Sequence, residues 1–178
     1  MRRPLNPAVI ILLATLGGCA GGRTTAPKGA AAAPLPPANP VAVAKMVQGV
    51  QAAKDGQRDR AVALLKAAVE IDPSLWEARY DVGALLAGGG DLATAEEQLA
   101  LAAKLAPTSQ EVAVALAEVR RRRGEQRRAA DGLATFVASH PDDVDVRTLY
   151  VAVLRDSGQI DEAIGEARQV LVRKPADA

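Results

Sequence analysis

The stretch "GDLATAEEQLALAAKLAP", residues 90–107, decides the fold because its landmark residues recur along the chain at a constant spacing. Its first residue is a glycine, its sixth an alanine and its last a proline. Each belongs to a series with a period of 34 residues: Gly56, Gly90, Gly124 and Gly158; Ala61, Ala95, Ala129 and Ala163; Pro73, Pro107, Pro141 and Pro175. Three series with one period predict four copies of a single supersecondary unit.

The chemistry of the landmarks predicts that each unit is a helical hairpin. The glycine follows the first helix, since glycine adopts a left-handed cap at little cost. The alanine lies where the second helix crosses the first, so a larger side chain would force the helices apart. The proline ends the second helix because the residue before a proline avoids the α region. In the second unit, Asp91 is placed to cap the second helix.

A hairpin unit of this length resembles the tetratricopeptide repeat. Residues at the eighth position are small in the first three units, and the large position of the second helix holds leucine. These residues are Gly49, Gly83 and Ala117, and Leu65, Leu99 and Leu133. The fourth unit departs, with Val151 and Ala167 at these positions. The resemblance implies an all-α solenoid of eight helices in a right-handed superhelix. Its repeats would span residues 42–75, 76–109, 110–143 and 144–178.

The resemblance also implies that one face of the first helices forms a groove that binds a peptide or a protein. The predicted partner-binding residues are Val43, Met46, Val50, Tyr80, Ala84, Val114, Arg121 and Arg155. The N-terminal half of this groove is mostly apolar, so we hypothesise that an apolar segment lies across Met46, Val50, Tyr80 and Ala84. The alternative is that Met46 and Tyr80 pack against each other or against Trp76.

The N-terminus has the pattern of a secretory signal peptide over residues 1–18. Arg2 and Arg3 precede an apolar run at residues 8–16. That run is shorter than the roughly 20 residues that a membrane-spanning helix needs. An N-terminal core helix is the alternative, and Pro4 and Pro7 argue against it.

The residues Leu16, Gly17, Gly18 and Cys19 resemble the lipobox of bacterial lipoproteins. The resemblance implies cleavage before Cys19, a diacylglycerol on its sulfur, and a further acyl chain such as palmitate on its amine. Ala20 favours the outer membrane facing the periplasm, and the inner membrane stays open as an alternative. Residues 19–41 are rich in proline, alanine and glycine and are interpreted as a tether, whose extended length is roughly 60 Å at about 3.1 Å per residue.

The composition excludes several kinds of site. One cysteine rules out an internal disulfide, and one histidine rules out a two-histidine metal site. No serine–histidine–aspartate set or phosphate loop stands out, so we expect neither an enzyme nor a cofactor other than the lipid on Cys19. The net charge is +1. Removing residues 1–18 takes away Arg2 and Arg3, two of the 22 basic residues. The remaining 20 basic and 21 acidic residues give a net charge of −1. Nucleic acid is therefore not an expected partner.

Two surfaces have open interpretations. The arginine run, "RRRRGEQRR" at residues 120–128, either meets anionic lipid or an acidic partner, or is the solvated end of a helix. The second interpretation is favoured. In the last repeat, Ile164, Val170 and Leu171 lack the polar helix that often covers the end of such a solenoid. The repeat then frays, or a partner or a second copy of the chain covers it.

Together these patterns predict a membrane-anchored periplasmic scaffold. It would mediate protein–protein interaction in the assembly or localisation of an envelope complex, such as pilus, secretion or motility machinery. This architecture is similar to that of lipoprotein pilotins. The alternative is an accessory factor or enzyme of cell-wall and envelope biogenesis, although a hydrolase would need a catalytic acid in a deep cleft, which a thin repeat strip does not offer.

Overall fold

The computed structural model describes residues 37–173, which form eight α-helices and no strand. The helices are α1 (Pro40–Lys54), α2 (Arg58–Ile71), α3 (Trp76–Gly88), α4 (Leu92–Leu105), α5 (Gln110–Arg122), α6 (Gln126–Ser139), α7 (Val144–Asp156) and α8 (Ile160–Arg173). This order confirms the all-α fold class and the four helical hairpins. Pro175, Cys19 and the lipobox Leu16–Cys19 lie outside the described residues.

The first helix of every hairpin ends in the same glycine turn. Gly56, Gly90, Gly124 and Gly158 all have positive φ angles, between 76° and 91°. The residue after each glycine donates its N–H to the carbonyl five residues earlier, as Asp91 does to Leu86 at 3.1 Å. This bonding satisfies carbonyls that the helix leaves free at its end. The role predicted for the glycine series is confirmed.

Polar side chains start several of the helices. Asp91 accepts a hydrogen bond from the N–H of Thr94 at 3.1 Å, which confirms the predicted cap of α4. At the start of α1, Asn39 accepts from the N–H of Val41, and Pro40 occupies the first turn, where its missing donor does no harm. Pro40 and Val41, which end the segment interpreted as a tether, are therefore helical.

Inside the first two hairpins, a bare glycine backbone lies against a buried leucine. A Cβ atom added to Gly83 would lie 2.6 Å from Cγ of Leu99, and one added to Gly49 would lie 2.7 Å from Cγ of Leu65. Both leucines are fully buried. The helices of each hairpin can therefore approach this closely only because the side chain opposite the leucine is absent.

The apolar core runs along the solenoid as three clusters, each joining two neighbouring repeats. The first joins α1 and α2 to α3 through Leu65, Ala78 and Val82. The second surrounds Leu99 and Leu116, and the third extends from Leu133 in α6 to residues of α7 and α8. Each repeat thus shares part of its apolar core with a neighbouring repeat. The first helices also contact one another, α3 with α5 and α5 with α7, and together they form a surface called here the first-helix face.

The last helix keeps its helical form through Arg173 while exposing an apolar stripe. Ala163 is buried against α7, whereas Ile164 is 47% exposed and Leu171 is 61% exposed. Val170 is half-buried. The equivalent residue to Leu171 in the preceding repeat, Val137, is buried by α7 and its surroundings. Among the helices that the structure describes, none combines the length and apolar character that crossing a bilayer requires.

The contact of Gly83 with Leu99 generates a prediction about stability. Replacing Gly83 by valine is expected to lower the free energy of unfolding by about 1–3 kcal/mol, because the new side chain overpacks a buried leucine. Urea denaturation followed by circular dichroism measures the change. Gly88→Val is the matched control, since a Cβ at Gly88 meets nothing within 4 Å, and a change of at most about 0.5 kcal/mol is expected there. Equal effects at the two positions would contradict the account of the hairpin interior.

Candidate partner-binding site

A pocket of about 330 Å³ opens on the first-helix face between α1 and α3. We call it the α1–α3 pocket. It is lined by Val50, Ala53, Lys54, Leu65, Asp81, Ala84 and Leu85. Val50 and Ala84, both predicted groove residues, thus contribute to one site.

Helix geometry explains how the pocket is assembled. Residues three and four apart lie on the same side of a helix, so Val50, Ala53 and Lys54 form one wall on α1. The same spacing places Asp81 and Ala84 with Leu85 on the opposite wall, on α3. The buried Leu65 of α2 is also part of the lining. Two of the wall positions carry alanine, and their small side chains leave the space open.

Asp81 is the titratable group of this pocket whose environment is unusual. Its side chain is half-buried, and no hydrogen bond or ion pair to it is found among residues 37–173. Removal from water raises the pKa of the Asp81 carboxyl, and the negative charge of Glu77 raises it further. Folding therefore favours the protonated carboxyl. The ionised form destabilises the folded chain progressively as the pH rises above the ordinary aspartate range.

A cation beside Asp81 would reverse this penalty, since an opposite charge favours the ionised carboxylate. Lys54 lies in the lining of the same pocket, but no salt bridge links it to Asp81 in the described part of the chain. The site therefore combines an apolar lining with a carboxylate that lacks a cationic partner. Such a site can hold an apolar side chain and pair with a neighbouring positive charge.

Asp81 is not among the predicted groove residues, although the sequence contains a signal for it. Asp81 is the sixth residue of its repeat, and the equivalent residues Val47, Ala115 and Leu149 are uncharged. A single acid among the four sixth-position residues, when the other three are apolar, marks a position where the repeats differ in chemistry. The prediction relied on the groove positions that the family resemblance implied, and the sixth position was not among them.

The other predicted groove residues on α1 and α3 contribute to packing. Val43 and Met46 are half-buried against the cluster around Leu65. Tyr80 is half-buried against the cluster around Leu99. The structure therefore brings Val50 and Ala84 together in the pocket and places Met46 and Tyr80 against different clusters.

The predicted groove residues of the third and fourth repeats are engaged within the chain. Val114 packs partly buried against the third cluster. Arg121 forms ion pairs with Glu118 at 2.9 Å and with Asp156 at 3.1 Å. Arg155 pairs with the same Asp156 at 2.8 Å, and its hydrogen bond is the main cause of a lowered pKa for that carboxyl. The two arginines of this half of the predicted groove are therefore already paired with acidic residues of the chain.

The arginine run of residues 120–128 has a role that neither earlier interpretation included. Glu96 of α4 is only 4% exposed, and its carboxylate pairs with Arg120 at 3.0 Å, with Arg128 at 2.9 Å and with Arg123. Arg122 donates a hydrogen bond to the carbonyl of Ala87 at 2.9 Å. The run therefore fastens the third repeat to the second.

No group of three histidine, cysteine or acidic side chains that could hold a metal ion occurs in the part of the chain that the structure describes. His140 stacks on Phe136, with ring centroids 4.2 Å apart. Its Nδ1 lies 3.1 Å from the carbonyl of Phe136. His140 therefore packs against the end of α6.

Comparisons with known proteins identify the same repeat. A model of the family described as Tetratricopeptide repeat matches residues 47–110 and 114–178. It indicates no catalytic family. No curated protein matches the chain.

Solved structures share the fold at low sequence identity. YrrB, described as a TPR protein with an unusual peptide-binding site, is 20% identical with a TM-score of 0.64, over 76% of this chain and 70% of that one. A crystal structure of MamA is 24% identical with a TM-score of 0.66, over 76% and 74% of the two chains. MamA from Desulfovibrio magneticus RS-1 is 20% identical with a TM-score of 0.65, over 78% of each chain. At these identities the likeness concerns the fold alone.

The cluster around Glu96 leads to a second prediction. Glu96→Gln is expected to lower the free energy of unfolding by about 2 kcal/mol, because three guanidinium groups lose their shared anion. Thermal and urea denaturation measure the loss.

Glu97→Gln removes the same charge from the next residue, which is exposed, and is expected to change stability by at most about 0.5 kcal/mol. Stability that falls equally in the two variants would mean that the arginine run responds only to net charge.

Proposed function

Because the chain belongs to the tetratricopeptide repeat family, whose members bind peptides and proteins, we propose that it is an adaptor that holds its partner in the α1–α3 pocket. One observation carries this proposal: an apolar pocket on the first-helix face contains a half-buried carboxylate without a cationic partner among the described residues. Fold alone does not establish a binding site, so the proposal depends on the chemistry of this pocket.

The pocket defines the kind of segment that it would bind. An apolar side chain of the partner would enter between Val50 and Ala84, where the wall residues are small. A lysine or arginine next to that side chain would pair with Asp81. Burying this pair restores the ionised carboxylate and gives the contact a charge requirement as well as an apolar one.

The proposed adaptor is anchored to a membrane through Cys19. In the sequence, the only cysteine follows an apolar run and the two small residues Gly17 and Gly18, which supports lipidation at this position. A thioether-linked diacylglycerol with a further acyl chain supplies more than one hydrocarbon anchor, whereas a single chain binds a bilayer only marginally. The proline-rich residues that follow would hold the repeats away from the bilayer.

We place the adaptor in the periplasm, on the outer membrane. In the lipoprotein sorting pattern, an aspartate directly after the lipidated cysteine retains a protein at the inner membrane, and this chain has Ala20 at that position. Its function there would be to assemble or localise an envelope complex, as in lipoproteins of pilotin-like architecture. The partner is then a protein of pilus, secretion or motility machinery that presents an apolar and basic segment.

Site-specific crosslinking in cells tests the proposed binding site. A photo-crosslinking residue at Ala84, which is exposed in the pocket wall, is expected to give one discrete adduct. The same residue at Ala63, exposed on α2, is the control and is expected to give none. Adding Asp81→Asn should weaken the Ala84 adduct, whereas Asp59→Asn, an equivalent change at an exposed aspartate of α2, should leave it unchanged. Similar adducts from Ala84 and Ala63 would refute a specific pocket.

Cell fractionation and intact mass test the proposed anchor. The chain extracted from membranes is expected to begin at Cys19 and to carry the added mass of its acyl chains. Cys19→Ser should leave the protein unlipidated and shift it out of the membrane fraction. Ala20→Ser, which changes the neighbouring residue to another small one, should retain the lipid. Membrane-extracted protein with an unmodified Met1 terminus would overturn the anchoring proposal.

A further inference from the structure

Two repeats fill an equivalent internal space with an arginine. In the second repeat, Arg79 donates through Nε to the carbonyl of Pro73 at 3.0 Å, and its Nη1 lies 3.4 Å from Oε1 of Gln98. In the fourth repeat, Arg147 donates through Nη2 to the carbonyl of Pro141 at 3.0 Å and pairs with Glu166. In both, the guanidinium connects the proline turn to the second helix of the repeat.

The third repeat lacks both members of this arrangement. The 34-residue period places Ala113 where the arginines stand, and Gly132 where their polar partners stand. Both residues line a cavity of about 270 Å³ between α4, α5 and α6, together with Pro107. Among the hydrogen bonds of residues 37–173, none ends on the carbonyl of Pro107. The cavity is therefore the space that an arginine and its partner occupy in the repeats on either side.

The lining of this cavity is mostly apolar, with Ala103, Ala106, Leu116, Ala117, Leu133 and Phe136. Two of its hydroxyl groups already donate within the chain. Thr135 donates to the carbonyl of Asp131 at 3.0 Å, and Ser139 donates to the carbonyl of Phe136 at 2.9 Å. Pro107 is also part of the lining. Its carbonyl is equivalent to the carbonyls of Pro73 and Pro141, which accept hydrogen bonds from the arginines of the second and fourth repeats.

The charges around the cavity decide what can enter it. A Cβ on Gly132 would lie 3.1 Å from Nη1 of Arg120, so a positive charge stands where the other repeats have Gln98 or Glu166. No acidic side chain belongs to the lining. A cation would find no anion in the lining, and a carboxylate would face the Pro107 carbonyl and compete with Glu96, which already pairs with Arg120 at 3.0 Å. An uncharged group with one hydrogen-bond donor fits both constraints.

We propose that this cavity is a second binding site, separate from the α1–α3 pocket, which accepts a tryptophan side chain of a partner protein. The ring lies among the alanines and Phe136, and the indole N–H donates to the carbonyl of Pro107. The size agrees, since an apolar cavity of about 150 Å³ holds benzene and an indole is larger. Tryptophan suits such a site because it combines a large apolar surface with one donor.

Titration with indole tests the proposal on the full chain, followed by amide chemical shifts in ¹H–¹⁵N spectra. Indole is expected to shift the amide signals of Ala113, Gly132 and Phe136. The probe 1-methylindole has nearly the same body without the donor, and it should bind about fivefold more weakly, as expected for the loss of one hydrogen bond. Equal affinities for the two probes, or no shift with indole, would overturn the proposal.

Variants that fill the cavity provide a second test. The double variant Ala113→Arg with Gly132→Gln rebuilds the arrangement of the second repeat, and it should abolish indole binding. Ala138→Arg adds the same charge at an exposed residue of α6 that does not line the cavity, and its binding should be unchanged. If the double variant does not fold, Ala113→Leu fills the cavity without a charge and should also abolish binding. Indole binding that persists in the filled variants contradicts the assignment.

Discussion

The close approach of the two helices inside the first two hairpins is the contact on which the rest of the structure depends. Where Gly49 and Gly83 present a bare backbone, Leu65 and Leu99 sit directly against it. This contact fixes the spacing of the helix pair, and the glycine turn with its positive φ fixes the direction in which the second helix returns. The turn recurs in all four hairpins, and neighbouring hairpins stack through shared apolar clusters.

The periodic features of the fold could be predicted because each landmark has a local physical cause. A left-handed turn favours glycine, and a close crossing of two helices favours alanine. The free amides at the start of α4 favour a capping residue such as Asp91. The arginine run was not understood from the sequence, because its meaning depends on Glu96. That acid comes from the preceding repeat and is buried only in the folded chain. Side-chain pairing between repeats is a tertiary property that a period does not encode.

The candidate sites lie where the repeats differ from one another. Asp81 interrupts a column of uncharged residues, and small wall residues leave a pocket beside it. Ala113 and Gly132 interrupt a repeated arginine contact, and the space they leave is a cavity. Val50 and Ala84 were predictable from the family resemblance. The departures at Asp81, Ala113 and Gly132 become visible only when equivalent residues of the four repeats are compared together with their contacts. Both candidate sites therefore coincide with departures from the repeated pattern.

Thiol labelling in living cells tests the central claim, that the α1–α3 pocket is occupied by a partner. The natural chain contains one cysteine, Cys19, so a cysteine introduced elsewhere reports on its own surroundings. Ala84→Cys in the pocket wall should react severalfold more slowly in cells than in the purified protein. Ala63→Cys on α2 should react at the same rate in both. Protection of Ala84→Cys alone is the result that this account predicts. Equal rates for Ala84→Cys in cells and in the purified protein would contradict it.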